Sequence, residues 1–255
     1  MEFIKTVIED RIAHIDLDRG KSNAFHTEML TELEEAILAA EKNPAVEGMI
    51  LHGKAGFFTA GLDLVTLYRY DESEIRKLFI QFFSTIKTLA KFPKPAVAAL
   101  SGHSPAGGCV LAICCDYRVM AEGNFIIGLN EIPVGIIVPQ SIFNLYSFWI
   151  GQAAAYRSLL TGKLFSPSEA LAIGLIDEVV PADRIRTASL RKIKTITQFD
   201  QPSWKQCKQN FRIPLIAELE KENDTLIDQM LSHWWKPSSR AIVKTIIDNL
   251  TQKKS

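Results

Sequence analysis

The chain has 255 residues, enough for one large domain with a substantial core or a main domain with a small appendage. Lys and Arg total 29 and Asp and Glu total 29, so the formal charge is zero, which gives no general reason to expect nucleic acid or an anionic membrane as partner. Of the four cysteines, Cys109, Cys114 and Cys115 share one apolar stretch and Cys207 stands apart; this reads as reduced, buried thiols of an intracellular protein, with no spacing that favours a disulfide framework or a metal site.

The N-terminus enters a strand-like pattern at once, without the basic start and apolar run of a signal peptide. No stretch approaches ~20 apolar residues, so no membrane span is expected. A cytoplasmic location follows as the expectation, although a cleaved organellar leader would leave no trace.

Ile4–Glu9 and Arg11–Leu17 read as two strands joined through Glu9-Asp10-Arg11 as a hairpin. Lys21–Phe25 is a polar loop. From Thr27 the spacing turns helical, with Met29, Leu30, Leu33, Ile37 and Leu38 on one face, and Asn43-Pro44 ends the helix. Val46–His52 is a buried-strand pattern followed by a loop over Gly53–Gly61. Asp71–Phe92 is helical again and stops at Pro93 and Pro95. Ala96–Leu100 is short and apolar enough for a central strand. Gly107 opens a small apolar helix to about Cys115, and Asp116–Ala121 and Phe125–Gly128 are further strands.

This succession of strand, loop and helix predicts an α/β architecture with parallel crossovers. Beyond Pro139 the chain becomes mostly helical: Ser141–Trp149, Gln152–Leu160, Pro167–Ile173 and Ala182–Thr197, with one strand over Leu175–Val180. From Pro202 to Leu250 the periodicity is helical only. The expected division is a core over residues 1–195 and a helical region over 196–255. Trp234 and Trp235 fall between two of the last helices, where an oligomer contact and internal packing are both open readings.

Three places carry chemistry. Phe57–Leu64 and Ser104–Cys109 each contain glycine, which lets a backbone N–H come close to a substrate oxygen. In the first, Leu62 N–H is the candidate donor, Gly61 allows the turn and Asp63 can cap the next one; the alternative is an ordinary loop entering a helix. In the second, Gly107 follows a strand and begins a helix, whose N-terminus offers free N–H groups; the alternative is a glycine turn used for close packing. The pair Gly107-Gly108 is no dinucleotide fingerprint, because Gly-x-Gly-x-x-Gly is missing. The third place is Glu131, set within Ile126–Ile137. A carboxylate in such apolar sequence is expected to lose solvent and to become a better base near neutrality; a surface glutamate before Pro133 is the equal alternative. Two amides on one oxygen stabilise an enolate, and one carboxylate beside them can move a proton.

Together these stretches resemble the crotonase superfamily, also called the enoyl-CoA hydratase/isomerase family. Ala60–Leu64, Ser104–Cys109, Cys115–Arg118, Ile127–Glu131 and Gly135–Pro139 are similar to its Δ3,Δ2-enoyl-CoA isomerase branch. The resemblance covers about residues 1–200 well and the helical end more loosely.

It implies a spiral of ββα units with a C-terminal helical trimerisation region, as a trimer or a dimer of trimers. It implies an acyl-CoA substrate of fatty-acid oxidation, with the thioester oxygen between the N–H groups of Leu62 and Gly107, and Ala24, Ala60, Gly61, Asp63 and Leu64 around it. No cofactor or metal is called for beyond the coenzyme A of the substrate. Hydratases of the family place a second glutamate on the helix after the glycine pair, where this chain has Val110. Isomerisation needs only one base that then acts as acid, so Glu131 alone suffices for it. Another crotonase-type activity, hydration or thioester hydrolysis, and a non-catalytic binding role are the competing readings. Leu64, Phe79, Phe82, Phe83 and Ile136–Ile137 are candidates for an acyl tunnel, each with core packing as the plainer role. Lys21, Lys54 and Lys244 of a neighbouring subunit are candidates for the CoA phosphates. His103 is set aside as a base because it lies on the strand side of the turn.

Overall fold

The computed structural model describes residues 1–221 and 224–252. The final three residues of the expected 196–255 region lie outside the described residues. A hairpin opens the fold: β1 (Ile4–Glu9) pairs antiparallel with β2 (Ile12–Leu17). Asp10 and Arg11 both take positive φ, 48° and 65°, as a two-residue turn matching the strand twist requires. Helix α1 (Thr27–Lys42) follows, buried along Met29, Leu30, Leu33 and Ile37 as the spacing predicts.

The chain then repeats one unit three times. A strand of the large sheet leads to a short strand of a second sheet and then to a helix. The first unit is β3 (Gly48–His52), β4 (Gly56–Phe57), a short turn α2 (Leu64–Leu67) and α3 (Glu72–Lys91). The second is β5 (Ala96–Leu100), β6 (Gly102–Pro105) and α4 (Gly107–Cys114). The third is β7 (Tyr117–Ala121), β8 (Ile127–Gly128), a 3₁₀ turn at Ile132–Val134 and α5 (Gln140–Ile150). The large sheet runs β1-β2-β3-β5-β7-β9, where β9 is Glu178–Val180, and the small one runs β4-β6-β8. All pairs except β1–β2 are parallel.

Helices α6 (Gln152–Thr161) and α7 (Pro167–Ala172) precede β9, and α8 (Ile185–Thr197) follows it. Alternation on β5 explains why its sequence is apolar throughout. Ala96, Ala98 and Leu100 join the main core, while Val97 and Ala99 face the other way onto Ile185, Ala188 and Ile193 of α8. Both faces of the sheet are therefore covered.

The end of the chain supplies α9 (Gln201–Glu220), α10 (Asp224–Trp234) and α11 (Pro237–Gln252). Helix α9 packs on α3 and α5. It is tied there by buried charges: Lys208 Nζ lies 2.7 Å and Arg212 Nη2 3.0 Å from the carboxylate of Asp116, which precedes β7. Of the tryptophan pair, Trp234 is buried in the core at 2% exposure, so packing decides its place, whereas Trp235 keeps 36%. Among the described residues no helix is long and apolar enough to cross a membrane.

Three of the elements are not legible as such: β4 falls within the stretch read as a loop over Gly53–Gly61. Strand β6 contains Gly102 and Pro105 in four residues, and α2 is a single turn, both too short to show a period.

Candidate functional site

Because β4, β6 and β8 are parallel neighbours, their C-terminal ends emerge side by side. Each end carries one of the three places singled out above. After β4 comes the loop holding Leu62, after β6 the junction holding Gly107, and after β8 the turn that begins at Glu131. The repeated unit thus brings to one point residues far apart in sequence.

The first loop is fixed by pairing with the polar loop before α1. Phe25 N–H donates to Gly61 O at 2.7 Å and Asp63 N–H to Phe25 O at 2.9 Å. Leu62 lies between those two bonds, so its own N–H points away from Phe25. Buried Asn23 strengthens the pairing: its amide donates to Phe58 O at 3.0 Å, and Thr59 Oγ1 donates to Asn23 O at 2.7 Å. Asp63 caps α2 through Thr66 and meets Arg19 at 2.8 Å. Burial works to raise the Asp63 pKa, but the bonds from Thr66 and Arg19 outweigh it and hold the carboxyl below its usual range.

The second junction depends on an uncommon backbone. Ala106 has φ 50° and ψ −122°, a conformation that alanine seldom adopts. It sits between β6 and α4, so the turn that presents Gly107 is held by the flanking strand and helix. Ala106 N–H is bonded to Gly128 O at 2.8 Å, and Val110 N–H returns to Ala106 O at 3.1 Å. Gly107 N–H, at the first position of α4, has no acceptor among the described residues, and neither has Leu62 N–H.

Glu131 starts the 3₁₀ turn, and its carbonyl accepts from Val134 and Ile136 at 3.1 and 2.9 Å. Its Oε2 is buried and has no hydrogen-bond partner among the described residues. Burial pushes its carboxyl up to about 7, against a partial offset from its own backbone N–H. Of the two readings open from the sequence, a desolvated acid and a surface glutamate, the burial of Oε2 matches the first.

A cavity of about 720 Å³ joins these groups. Its wall includes Arg19, Lys21, Ser22 and Ala24 together with Ala60, Leu62, Asp63, Leu64, Gly107, Val110 and Glu131. Phe79, Phe82, Phe83, Ile136 and Ile137 line it too, and the three phenylalanines also belong to the main core. Three further contributors, Met230, Ile246 and Leu250, come from α10 and α11, and nothing local in the sequence marks them. Gly61 is not on the wall but behind it, against Gly107.

Among the other candidates, Lys54 does not reach the cavity wall. Its Nζ is spent on Asp18 at 2.6 Å and Gly20 O at 2.8 Å, which braces the polar loop. Lys244 is exposed, 3.3 Å from Asp248 on its own helix. His103 packs between the rings of Phe57 and Phe125, away from the cavity wall. Among the described residues no group of three or more His, Cys, Asp or Glu is placed to hold a metal ion.

Paired strands, spiral order and a three-ended site together define a crotonase-type protein. The backbone superposes on the crystal structure of human mitochondrial delta3-delta2-enoyl-CoA isomerase with a TM-score of 0.95 and 28% identity, covering 99% of this chain and 100% of that one. The chain belongs to the Enoyl-CoA hydratase/isomerase family, whose pattern it matches over residues 7–244. It is 33% identical over 252 residues to mouse mitochondrial enoyl-CoA delta isomerase 1, covering 95% of this chain and 85% of the relative. It is also 30% identical over 203 residues to a probable enoyl-CoA hydratase of Mycobacterium bovis, covering 79% and 77%.

Proposed function

We propose that this protein is an acyl-CoA isomerase that moves the double bond of a 3-enoyl-CoA to the 2 position, as a step of fatty-acid oxidation. The thioester oxygen sits between the N–H groups of Leu62 and Gly107. Glu131 removes a proton from C2, and the two amides hold the negative charge of the dienolate. Protonated Glu131 then delivers the proton to C4, leaving trans-2-enoyl-CoA and a regenerated carboxylate. A base poised at about 7 serves both halves of this transfer near neutrality.

The observation that carries the reading is the pairing of Glu131 with Val110 in the same cavity. Hydration asks for two acids around the reacting carbons, and the position of the second is an apolar side chain at 1% exposure. The other carboxylate on the wall, Asp63, is engaged with Arg19 and Thr66. The isomerase named among the relatives supports the same choice over the hydratase. Lys21, on the wall near Arg19, is the candidate cation for the CoA phosphates. Following the family resemblance, the assembly is a homotrimer or a dimer of trimers, with the 196–255 helices as its contact region.

The test is an assay of purified protein with a 3-enoyl-CoA and, separately, with a trans-2-enoyl-CoA. Appearance of the conjugated absorbance from the first, without its loss from the second, is the expected result. Loss of that absorbance at a comparable rate would replace the isomerase by a hydratase.

A further inference from the structure

Helix α11 touches the surroundings of the reaction centre on both sides. At its start, Arg240 donates from Nη2 to Tyr68 O at 2.8 Å, and its guanidinium lies 3.7 Å from the centre of the Tyr68 ring. Tyr68 ends the single turn α2, which follows directly on Leu62 and Asp63. The Trp235 ring flanks the same guanidinium at 4.9 Å. A planar cation stacked on one ring and bonded to that residue's own carbonyl is a directional contact that a lysine reproduces only in part.

On the other side, α11 lies against the turn that begins at Glu131. A Cβ on Gly135 would meet Ser239 Cα at 3.5 Å and Ile242 Cδ1 at 3.6 Å. Ile242, Ile246 and Leu250 recur every four residues, so they form one stripe along the helix. The stripe begins at the Glu131 turn and continues as Ile246 and Leu250 on the cavity wall. Arg240 therefore anchors the start of a helix whose later residues, Ile246 and Leu250, stand on the cavity wall.

We infer that Arg240, through its clamp on Tyr68, is a positioning residue that holds α11 as the wall against which the acyl chain ends, and so sets the chain length this protein prefers. The inference rests on the acyl-CoA reading of the cavity, but not on the isomerase chemistry. A short acyl group reacts at Leu62, Gly107 and Glu131 without reaching Ile246 or Leu250. A long one adds methylenes that are buried against them. Each methylene so buried contributes about fourfold in binding.

The experiment measures Kd for saturated acyl-CoAs from butanoyl to tetradecanoyl, and kcat/KM for 3-hexenoyl-CoA and 3-decenoyl-CoA, in the wild type and in Arg240→Met, Arg240→Lys and Leu250→Ala. Arg240→Met is expected to lower the decenoyl-to-hexenoyl ratio of kcat/KM about tenfold, with the hexenoyl value within about twofold of wild type. Arg240→Lys should fall between the two. Leu250→Ala should weaken the long acyl-CoAs most. The Kd series should flatten with chain length in parallel. An equal fall at every chain length, or an unchanged ratio in Arg240→Met, would overturn the inference. Should the wild type bind the series with a length dependence yet isomerise nothing, the reaction is wrong and the clamp is still judged on Kd. Absence of any acyl-CoA binding would overturn both.

Discussion

A Cβ placed on Gly61 would stand 2.9 Å from the backbone nitrogen of Gly107. The two loops that carry the candidate amide donors are thus in direct backbone contact, and Gly61 takes φ 79° to allow it. Spacing of the donors is set by this contact rather than by any side chain. Replacing Gly61 with alanine is expected to force the loops apart and to turn one amide off the thioester oxygen. Loss of one such donor costs about a hundredfold in kcat, while the unfavourable φ costs about 1 kcal/mol of stability. Steady-state kinetics beside a thermal melt will separate the two effects; normal turnover in the variant would show that the contact does not set the donors.

Glu131 gives a pH dependence with a definite sign. Its carboxyl is raised by burial from 4.5 to about 7, and the base must be ionised to act, so kcat/KM should rise with pH and level off above about 7. Stability should run the other way. Between those two values the folded protein holds a proton that the unfolded chain has released, so stability falls as pH rises and flattens beyond. Glu131→Gln is expected to abolish isomerisation, leave acyl-CoA binding within a few-fold and remove this slope. Retention of near-normal turnover would show that Glu131 is not the base.

Val110→Glu places a second carboxyl on the wall of the same cavity. Some hydration of trans-2-enoyl-CoA should appear, read as loss of conjugated absorbance. The new acid is buried, so it also costs stability, and like charge should move the rise of the pH profile upward. A variant that folds yet hydrates nothing would mean that the apolar residue is not the sole barrier to that reaction.

The anchoring of α9 makes a separate prediction. Asp116 faces both Lys208 and Arg212 in a buried setting, and burial pulls the lysine down to about 8 even with that partner. Asp116→Asn leaves two buried cations without their counter-charge. The expected loss is about 3–5 kcal/mol, measured by urea unfolding; a loss under about 1 kcal/mol would mean that solvent reaches the cluster.

Much of the fold is legible in the residues because the long helices bury one clear stripe and the central strands are short apolar runs. Glu131 is legible only in part: the apolar run Ile126–Ile137 leaves a desolvated acid and a surface glutamate as equal readings, and burial of its Oε2 in the folded chain separates them. Other parts leave no local mark. Ala106 looks like any alanine, and its positive φ arises only because β6 must hand over to α4 in a tight turn. Arg19 pairs with Asp63 across more than forty residues. Periodicity shows that α10 and α11 have apolar faces, but which cavity those faces close is settled by tertiary packing. Lys54 has the right charge for a phosphate and the wrong neighbour, since Asp18 is already in reach.

The placement of one candidate element at the end of each strand of β4-β6-β8 has a practical result under the proposed function. An engineer can rewrite the acid after the third strand, or add one on the helix after the second, while the oxygen cradle stays as it was. The load-carrying sheet lies in the other half of every unit and is untouched by such edits. On the proposed reading, a chassis of this kind would let reaction type change through single exchanges at separate stations, without refitting the frame that holds them in register.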